Sequence, residues 1–147
     1  MLSIHTDEHF MRQAWLLAQQ GMEDNEVPIG AVVVCDYRII GRGYNQTERL
    51  QDPTAHAEMI AITAACEYLG SKYLQDCSLF VTIEPCVMCA GAIRCAQIDK
   101  LVFGAQEPKT GFSRHQPGLL HPKTQIVSGI MEDDCRALMQ DFFRKKR

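Results

Sequence analysis

The segment SLFVTIEPCVMCAGAIRCAQIDKLVFGA, residues 78–105, contains a complete strand–helix–strand pattern. Residues 78–83 form a short apolar run, which indicates a buried strand. Residues 86–96 are rich in small side chains and predict a short helix, and residues 99–105 return to the strand pattern. Strands that alternate with helices are typical of domains in which helices pack on a sheet. The segment therefore predicts an α/β fold.

The same alternation continues on both sides of this segment. Residues 28–36, PIGAVVVCD, are nearly continuous in apolar, β-branched side chains and predict a strand that is buried on both faces. Residues 37–45 follow a tight turn and predict its hairpin partner. The other predicted elements are helices over 7–22, 52–69 and 132–146 and a short last strand over 126–130. Together they predict a single domain over 1–147, a three-layer α/β/α sandwich with a mixed central sheet of about five strands.

Composition narrows the class of protein. Apolar residues make up 46% of the 147 residues and charged residues 22%, which is typical of a globular domain. No apolar run approaches the roughly eighteen residues of a membrane span, and the first ten residues lack the apolar core of a signal peptide. Seven cysteines are an odd number for a disulfide framework, so we expect reduced thiols in the cytoplasm. The net charge of −3 excludes a strongly basic, RNA-coating protein, so nucleic-acid contact needs a local basic patch.

Two short motifs collect residues that bind metals. In EPCVMC, residues 84–89, Cys86 and Cys89 are three positions apart and fall on one face of the first turn of a helix. The positive end of the helix dipole lowers the pKa of thiols there, which suits a soft cation. A C-x-x-C pair alone fits a redox pair or half of a structural zinc site equally well. In TAHAEM, residues 54–59, His56 supplies a third ligand, and the His-Cys-Cys set suits tetrahedral Zn²⁺.

A fourth protein ligand would make the site structural rather than catalytic. Cys95 lies nine residues after Cys86, roughly on the opposite helix face, and Cys66 lies about 15 Å along the helix from His56. Neither closes the site easily. Spacing does not exclude the three cysteines in other segments, and small core side chains are the default expectation for all five, Cys35, Cys66, Cys77, Cys95 and Cys135.

Glu58 favours the catalytic alternative, because an open zinc site needs a base for its water. A solvated helix acid that lies near the site by chance is the competing interpretation. Residues two apart in the middle of a helix diverge by about 200°, so His56 and Glu58 reach one metal only if it lies beyond the helix end. We expect Asp52 to cap this helix and Pro53 to occupy its first turn, which makes that position plausible.

His56-Ala57-Glu58 with Pro85-Cys86-Val87-Met88-Cys89 resembles the H-x-E…P-C-x-x-C signature of zinc-dependent nucleoside and base deaminases. EVPIGAVVV (26–34), DPTAHAEM (52–59) and VTIEPCVMCAGAI (81–93) are similar to the bacterial tRNA adenosine deaminase branch, and matching stretches span most of the chain. The resemblance implies a cytidine deaminase-like fold, one Zn²⁺ per chain and a homodimer. It also implies hydrolysis of adenosine to inosine at the wobble position of a tRNA anticodon, with Glu58 moving the proton.

The resemblance implies a substrate surface as well. Asn45 stands where the family places a nucleoside-binding asparagine, and Lys109 matches a loop position that faces the RNA. Glu107 replaces the aspartate that most relatives carry before KTG. Phe142 and Phe143 match an aromatic pair of which one ring lines the anticodon side, with core packing as the alternative for each. The basic end, residues 144–147, either meets phosphates or is solvated.

Three interpretations of function remain: a tRNA adenosine deaminase, a deaminase of a free base or nucleoside, and a zinc-stabilised binding module. A deaminase of a free base or nucleoside, such as guanine or cytosine, would share the zinc and Glu58 but need no RNA surface. A zinc-stabilised binding module would have a closed site and no use for Glu58. Residues 106–124 depart from the family in the segment that approaches nucleic acid, and a solvated surface loop is the plain alternative there. MCAGAI and the basic C-terminal end favour the tRNA deaminase.

Overall fold

The computed structural model describes residues 5–146, and its centre is one five-stranded sheet. The strands are β1 (Gly30–Cys35), β2 (Arg38–Tyr44), β3 (Cys77–Ile83), β4 (Lys100–Ala105) and β5 (Gln125–Ser128), in the order β2-β1-β3-β4-β5. β1 pairs antiparallel with both β2 and β3, whereas β3, β4 and β5 are parallel. The mixed sheet of about five strands is confirmed.

Six helices flank the sheet within the described part of the chain. They are α1 (Asp7–Glu23), α2 (Thr47–Leu50), α3 (Ala57–Leu69), α4 (Val87–Ala96), α5 (Phe112–His115) and α6 (Glu132–Lys145). None of them is long and apolar enough to cross a membrane. The short helices α2 and α5 occupy segments that the sequence does not mark as helical, and each is a single turn.

Each face of the sheet has its own apolar cluster, which produces the three layers. Ala31 and Val33 of β1 lie in one cluster with residues of α3 and α4, and Val32 and Val34 lie in the other with residues of α1 and α6. Successive strand side chains point to opposite faces, so a strand covered on both sides must be apolar at nearly every position. This explains why β1 is continuously apolar, as the sequence predicts.

Close backbone contact between α3 and β2 fixes the position of α3. A Cβ added to Gly43 would lie 2.5 Å from the carbonyl oxygen of Ala57, and one added to Gly41 would lie 2.9 Å from the backbone nitrogen of Ala65. Any larger residue would push the helix away from the sheet. The two glycines therefore set the distance between α3 and the sheet.

The prediction that the helix after residue 52 begins at Asp52 and Pro53 is wrong. Asp52 Oδ1 accepts hydrogen bonds from both the backbone nitrogen and the hydroxyl of Thr54, each at 2.8 Å, and so forms a turn instead of a cap. The helix begins at Ala57, and His56 occupies the N-cap position. The last strand also differs slightly, ending at Ser128 rather than at residue 130.

The prediction of one domain over residues 1–147 stays a prediction. The packing of α1, α3, α4 and α6 on the same sheet supports it. Residues 1–4 and Arg147 lie outside the described residues.

Candidate active site

Two helix starts meet at one edge of the sheet and bring the predicted metal ligands together. His56 is the N-cap residue of α3 and Cys86 is the N-cap residue of α4, both with extended backbone. Neither side chain makes a capping hydrogen bond to its own helix, so both are directed to other partners. Cys89 follows in the first turn of α4 and is fully buried. β3 ends at this edge and α4 begins there. Because β3 and β4 are parallel, the carboxyl end of β4 lies at the same edge.

The distances among these three residues fit zinc. His56 Nδ1 lies 3.6 Å from Cys86 Sγ and 3.5 Å from Cys89 Sγ. A tetrahedral Zn²⁺ with bonds of about 2.05 Å to nitrogen and 2.3 Å to sulfur separates those atoms by about 3.6 Å. Among the described residues, this is the one group of three His, Cys, Asp or Glu side chains whose ligand atoms all lie within 4.8 Å of one another. The three side chains therefore suit one zinc ion.

The electrostatics of the pair of thiols also suit a cation. Hydrogen bonds from Cys89 and from His56 lower the pKa of Cys86 to about 4, so that this thiol is ionised at neutral pH. The same contact with the Cys86 thiolate, together with burial, raises the pKa of Cys89. The two neighbouring thiols therefore hold one proton between them. A metal that binds both sulfurs as thiolates displaces this proton.

The remaining cysteines divide by burial. Cys77 and Cys135 are core side chains, as expected, and Cys35 and Cys66 are partly buried. Cys95 is exposed, so the expectation that it lies in the core is wrong, and its place on the outer face of α4 follows from the nine-residue spacing from Cys86. None of these five belongs to the group of ligand atoms around His56.

Glu58 is buried beside this group. It is 4% exposed, and burial raises the pKa of its carboxyl to about 7, with the neighbouring His56 and a hydrogen bond from Cys89 opposing that rise. His56 precedes the helix and Glu58 is its second residue, so the two side chains reach one point beyond the helix end. The predicted position of the metal off the helix tip therefore agrees with the backbone.

Asn45 lies at the same edge and is almost fully buried, 6% exposed. Its backbone nitrogen donates to Ile29 at 3.1 Å, and the next residue, Gln46, donates to Ala55 at 3.0 Å. That second bond holds the end of β2 next to the residue that precedes His56. A buried amide that can both donate and accept is well suited to a base or sugar edge.

The other predicted substrate residues lie together along a neighbouring groove. A cavity of about 1030 Å³ is lined by Glu107, Lys109 and Phe143, and also by Arg144 and Lys146. Phe143 is 49% exposed there, whereas Phe142 is 8% exposed and packs in the interior. The carboxylate of Glu107 accepts a hydrogen bond from the backbone nitrogen of Lys109 at 2.9 Å, which orders the turn. None of the three metal-binding side chains lines this groove, which is adjacent to the site rather than part of it.

Two buried carboxylates near the site were not predicted from the sequence, Glu84 and Glu26. Glu84 is 4% exposed and bonds to the segment after β4, and Glu26 is 1% exposed and accepts from the backbone nitrogens of Glu48 and Arg49 at 3.1 and 2.7 Å. Both stand near the boundary of a buried apolar strand: Glu84 directly follows β3, and Glu26 lies four residues before the start of β1. An acid at the end of an apolar run is the signal that could have identified them.

The family model for the cytidine and deoxycytidylate deaminase zinc-binding region matches residues 4–105. The chain belongs to this deaminase family. A tRNA-specific adenosine deaminase of Agrobacterium fabrum is 46% identical over 147 residues, with 95% of each chain covered. Because the match includes the candidate ligands and Glu58, the deaminase family accounts for a His-Cys-Cys group beside a buried acid.

Solved structures agree with the deaminase fold. A structure from studies of A-to-I editing by tRNA:A34 deaminases at the wobble position of transfer RNA is 43% identical, with a TM-score of 0.83, and the match covers 88% of this chain and 98% of that one. A guanine deaminase from Bacillus subtilis is 38% identical with a TM-score of 0.67, covering 78% of this chain and 71% of that one. The predicted cytidine deaminase-like fold is confirmed.

Proposed function

We propose that this deaminase hydrolyses adenosine to inosine at the wobble position of a tRNA anticodon. The observation that carries the proposal is the His56-Cys86-Cys89 group with buried Glu58, next to a basic groove. A tRNA-specific adenosine deaminase is 46% identical over 95% of this chain, and a structure from studies of tRNA:A34 deaminases is 43% identical over 88% of it. Both support RNA as the substrate. The net reaction consumes one water and releases one ammonia per adenosine.

We assign the metal to His56, Cys86 and Cys89. When bound there, one Zn²⁺ supplies Lewis acidity that makes a water molecule nucleophilic near neutral pH. Three protein ligands leave room for such a water, as in catalytic rather than structural sites. The two helix starts hold the ligands, so the site depends on the packing of α3 and α4 rather than on a flexible loop.

Glu58 is the proposed acid–base group. It takes a proton from the attacking water as the new C6–O bond forms and delivers that proton to the purine ring nitrogen. It then assists proton transfer to the amino group, so that the C6–N bond breaks and ammonia leaves. Burial raises the pKa of this carboxyl to about 7 in the metal-free protein, and a buried carboxyl beside the metal can accept a proton from the water and return it.

Asn45, Glu107, Lys109 and Phe143 are the proposed substrate contacts. Asn45 would hydrogen-bond the flipped-out nucleoside, since it is buried and follows β2 at the edge of the sheet where the metal ligands lie. Phe143 offers an exposed ring for stacking on an unpaired base, and Lys109 offers a cation for phosphate. Glu107 shapes the turn that presents Lys109.

A direct assay tests this function. Purified protein receives an arginine-type anticodon stem-loop with adenosine at the wobble site and, in parallel, free adenosine, adenine, guanine, cytosine and cytidine. We expect inosine in the stem-loop and no ammonia from the free compounds. The likeness to a guanine deaminase gives the second candidate a concrete basis, and ammonia from guanine with an unchanged stem-loop would establish it instead.

We propose in addition that the chain acts as a homodimer in the cytoplasm. The outer face of α4 carries Val87, 37% exposed, beside the small residues Gly91 and Ala92, which would permit close packing of a second copy. Free thiol ligands favour a reducing compartment. Gel filtration coupled to light scattering should give twice the chain mass of 16.6 kDa, and a monomer at micromolar concentration would contradict the dimer.

A further inference from the structure

Glu84 stands between the metal site and the substrate segment. It follows the last residue of β3, and Pro85 separates it from the candidate ligand Cys86. Its side chain is 4% exposed, although no cation lies within ion-pair distance of it among the described residues. A buried carboxylate needs hydrogen-bond donors to offset its lost hydration. The donors that it uses all come from one segment.

Both carboxylate oxygens of Glu84 accept hydrogen bonds from residues 107–113. Oε1 accepts from the backbone nitrogen of Glu107 at 3.1 Å, and Oε2 accepts from the backbone nitrogen of Ser113 at 3.0 Å. The hydroxyl of Ser113 also donates to Oε2. One side chain thus holds the two ends of the seven-residue segment 107–113, here called the 107–113 loop, which includes the first two residues of α5 and carries Lys109.

Backbone contacts place the same loop against the start of α4. The nitrogen of Phe112 donates to the carbonyl of Pro85 at 2.9 Å, and Gly111 forms a β-bridge with Cys86. A side chain at Gly111 would overlap the Glu84 carboxylate and would lie 2.7 Å from the carbonyl oxygen of Glu107. The absence of a Cβ at Gly111 is therefore what lets the carboxylate reach both ends of the loop.

We propose that Glu84 is a positioning residue that fixes the loop 107–113 to the metal-bearing helix, and so sets where Lys109 meets the substrate. The part that concerns substrate rests on the proposed function. Charge-assisted bonds to backbone donors are stronger than neutral ones, so the loop is held in one register relative to Cys86. Metal binding itself uses other atoms and does not depend on the carboxylate.

Hydrogen exchange tests the positioning without any substrate. In zinc-loaded Glu84→Gln protein, the amides of Glu107 and Ser113 should exchange at least about tenfold faster than in the wild type, because one charged acceptor is lost. Zinc content should stay at about one per chain. The matched control is Glu26→Gln, which removes an equally buried carboxylate and should affect the amides of Glu48 and Arg49 instead.

Gly111→Ala provides a second, independent variant, since it keeps the carboxylate but displaces it. We expect the same two amides to lose protection in Gly111→Ala as in Glu84→Gln. Unchanged exchange at both amides in Glu84→Gln would overturn the positioning role, and unchanged exchange in Gly111→Ala would overturn the part that the glycine plays in it. Loss of bound zinc in folded Glu84→Gln would overturn it as well, because Glu84 would then support the metal rather than the loop.

Kinetics on the stem-loop test the consequence for substrate. Glu84→Gln should raise KM about tenfold and change kcat by less than about threefold, since the loop contributes binding and not chemistry. Lys109→Ala should raise KM several-fold in the wild-type background. The increase should be clearly smaller in the Glu84→Gln background, because the two residues act through one loop. Additive effects of the two substitutions, or an unchanged KM, would refute the link to substrate.

The outcomes separate this inference from the proposed function. If wild-type protein leaves the stem-loop unchanged but deaminates guanine, the proposed function fails and the substrate part of the inference fails with it. The exchange experiment then still decides whether Glu84 positions the loop. If the stem-loop is deaminated and Glu84→Gln has normal exchange, the inference fails and the proposed function stands.

Discussion

Replacing Glu58 with glutamine should separate activity from stability. Glutamine has nearly the same shape but cannot carry a proton between water and the purine. General acid–base catalysis contributes roughly 10²–10⁴-fold to a rate, and a group that serves in both proton transfers should be near the upper limit. We therefore expect Glu58→Gln to lower kcat by about 10⁴-fold while zinc stays bound.

The same substitution should stabilise the metal-free protein. Burial raises the pKa of Glu58 from 4.5 to about 7, so its carboxyl holds a proton more tightly in the folded than in the unfolded chain. Below pH 4.5 both states are protonated and the residue costs nothing. As pH rises from 4.5 to about 7, the unfolded chain loses this proton while the folded chain keeps it, and above pH 7 the folded state holds a buried charge at the full cost of about 3 kcal/mol, from 1.36 kcal/mol per pKa unit. Glutamine removes this cost.

The assay compares unfolding of the two metal-free proteins as a function of pH. Their free energies of unfolding should converge towards pH 4.5 and differ by about 3 kcal/mol at pH 8, or about 10 °C in Tm for a chain of this length. Bound zinc should reduce this difference in the free energy of unfolding, since a nearby cation favours the ionised carboxylate. Glu67→Gln, an exposed acid on the same helix, is the control and should change neither quantity.

Two results would refute this reasoning. A Glu58→Gln protein that keeps its turnover cannot have lost its proton carrier. A variant that is inactive but also less stable than the wild type at pH 8 would show that Glu58 supports the fold, and its inactivity would then say nothing about proton transfer.

Three further predictions concern the metal and the packing. Cys86→Ser should reduce zinc well below one per chain, measured by metal analysis after dialysis, and full occupancy would contradict the assigned ligands. Phe142→Ala should lower the free energy of unfolding by about 3 kcal/mol, and Phe143→Ala by less than about 1 kcal/mol, in denaturant titrations; the reverse order would contradict their burial. Gly43→Ala should lower the free energy of unfolding by about 2 kcal/mol in the same titrations, because the new methyl group meets the Ala57 carbonyl oxygen. An unchanged free energy of unfolding would mean that α3 can shift.

Sequence patterns predicted most of the fold because the patterns are local. The apolar runs of β1, β3 and β4 and the helical periodicity of α1 need no knowledge of neighbours. The start of α3 was predicted four residues too early, since Asp52 and Pro53 look like a cap and a first helical residue but His56 and Ala57 take those positions. Asp52 instead bonds to Thr54 in a turn, and both arrangements use the same residue types.

The candidate metal ligands were also predictable, because chemistry restricts them. Few combinations of side chains bind zinc, and His56, Cys86 and Cys89 carry a spacing that resembles one enzyme family. Their meeting point was less predictable, since it depends on two helix starts that are thirty residues apart in sequence. Phe142 and Phe143 were indistinguishable by sequence, and only the rotation of α6 against the sheet places one inside and one in the groove.

The amino-acid sequence alone determined the alternation of strands and helices, the donor set for zinc and the presence of an acid beside it. Only the tertiary structure decided that His56 precedes its helix, so that it and Glu58 reach one point, and that the Glu84 carboxylate holds the ends of the substrate loop. The reason is physical. Periodicity and ligand chemistry are properties of neighbouring residues, whereas helix starts and buried hydrogen bonds are settled by competition among partners that the fold brings together from distant parts of the chain.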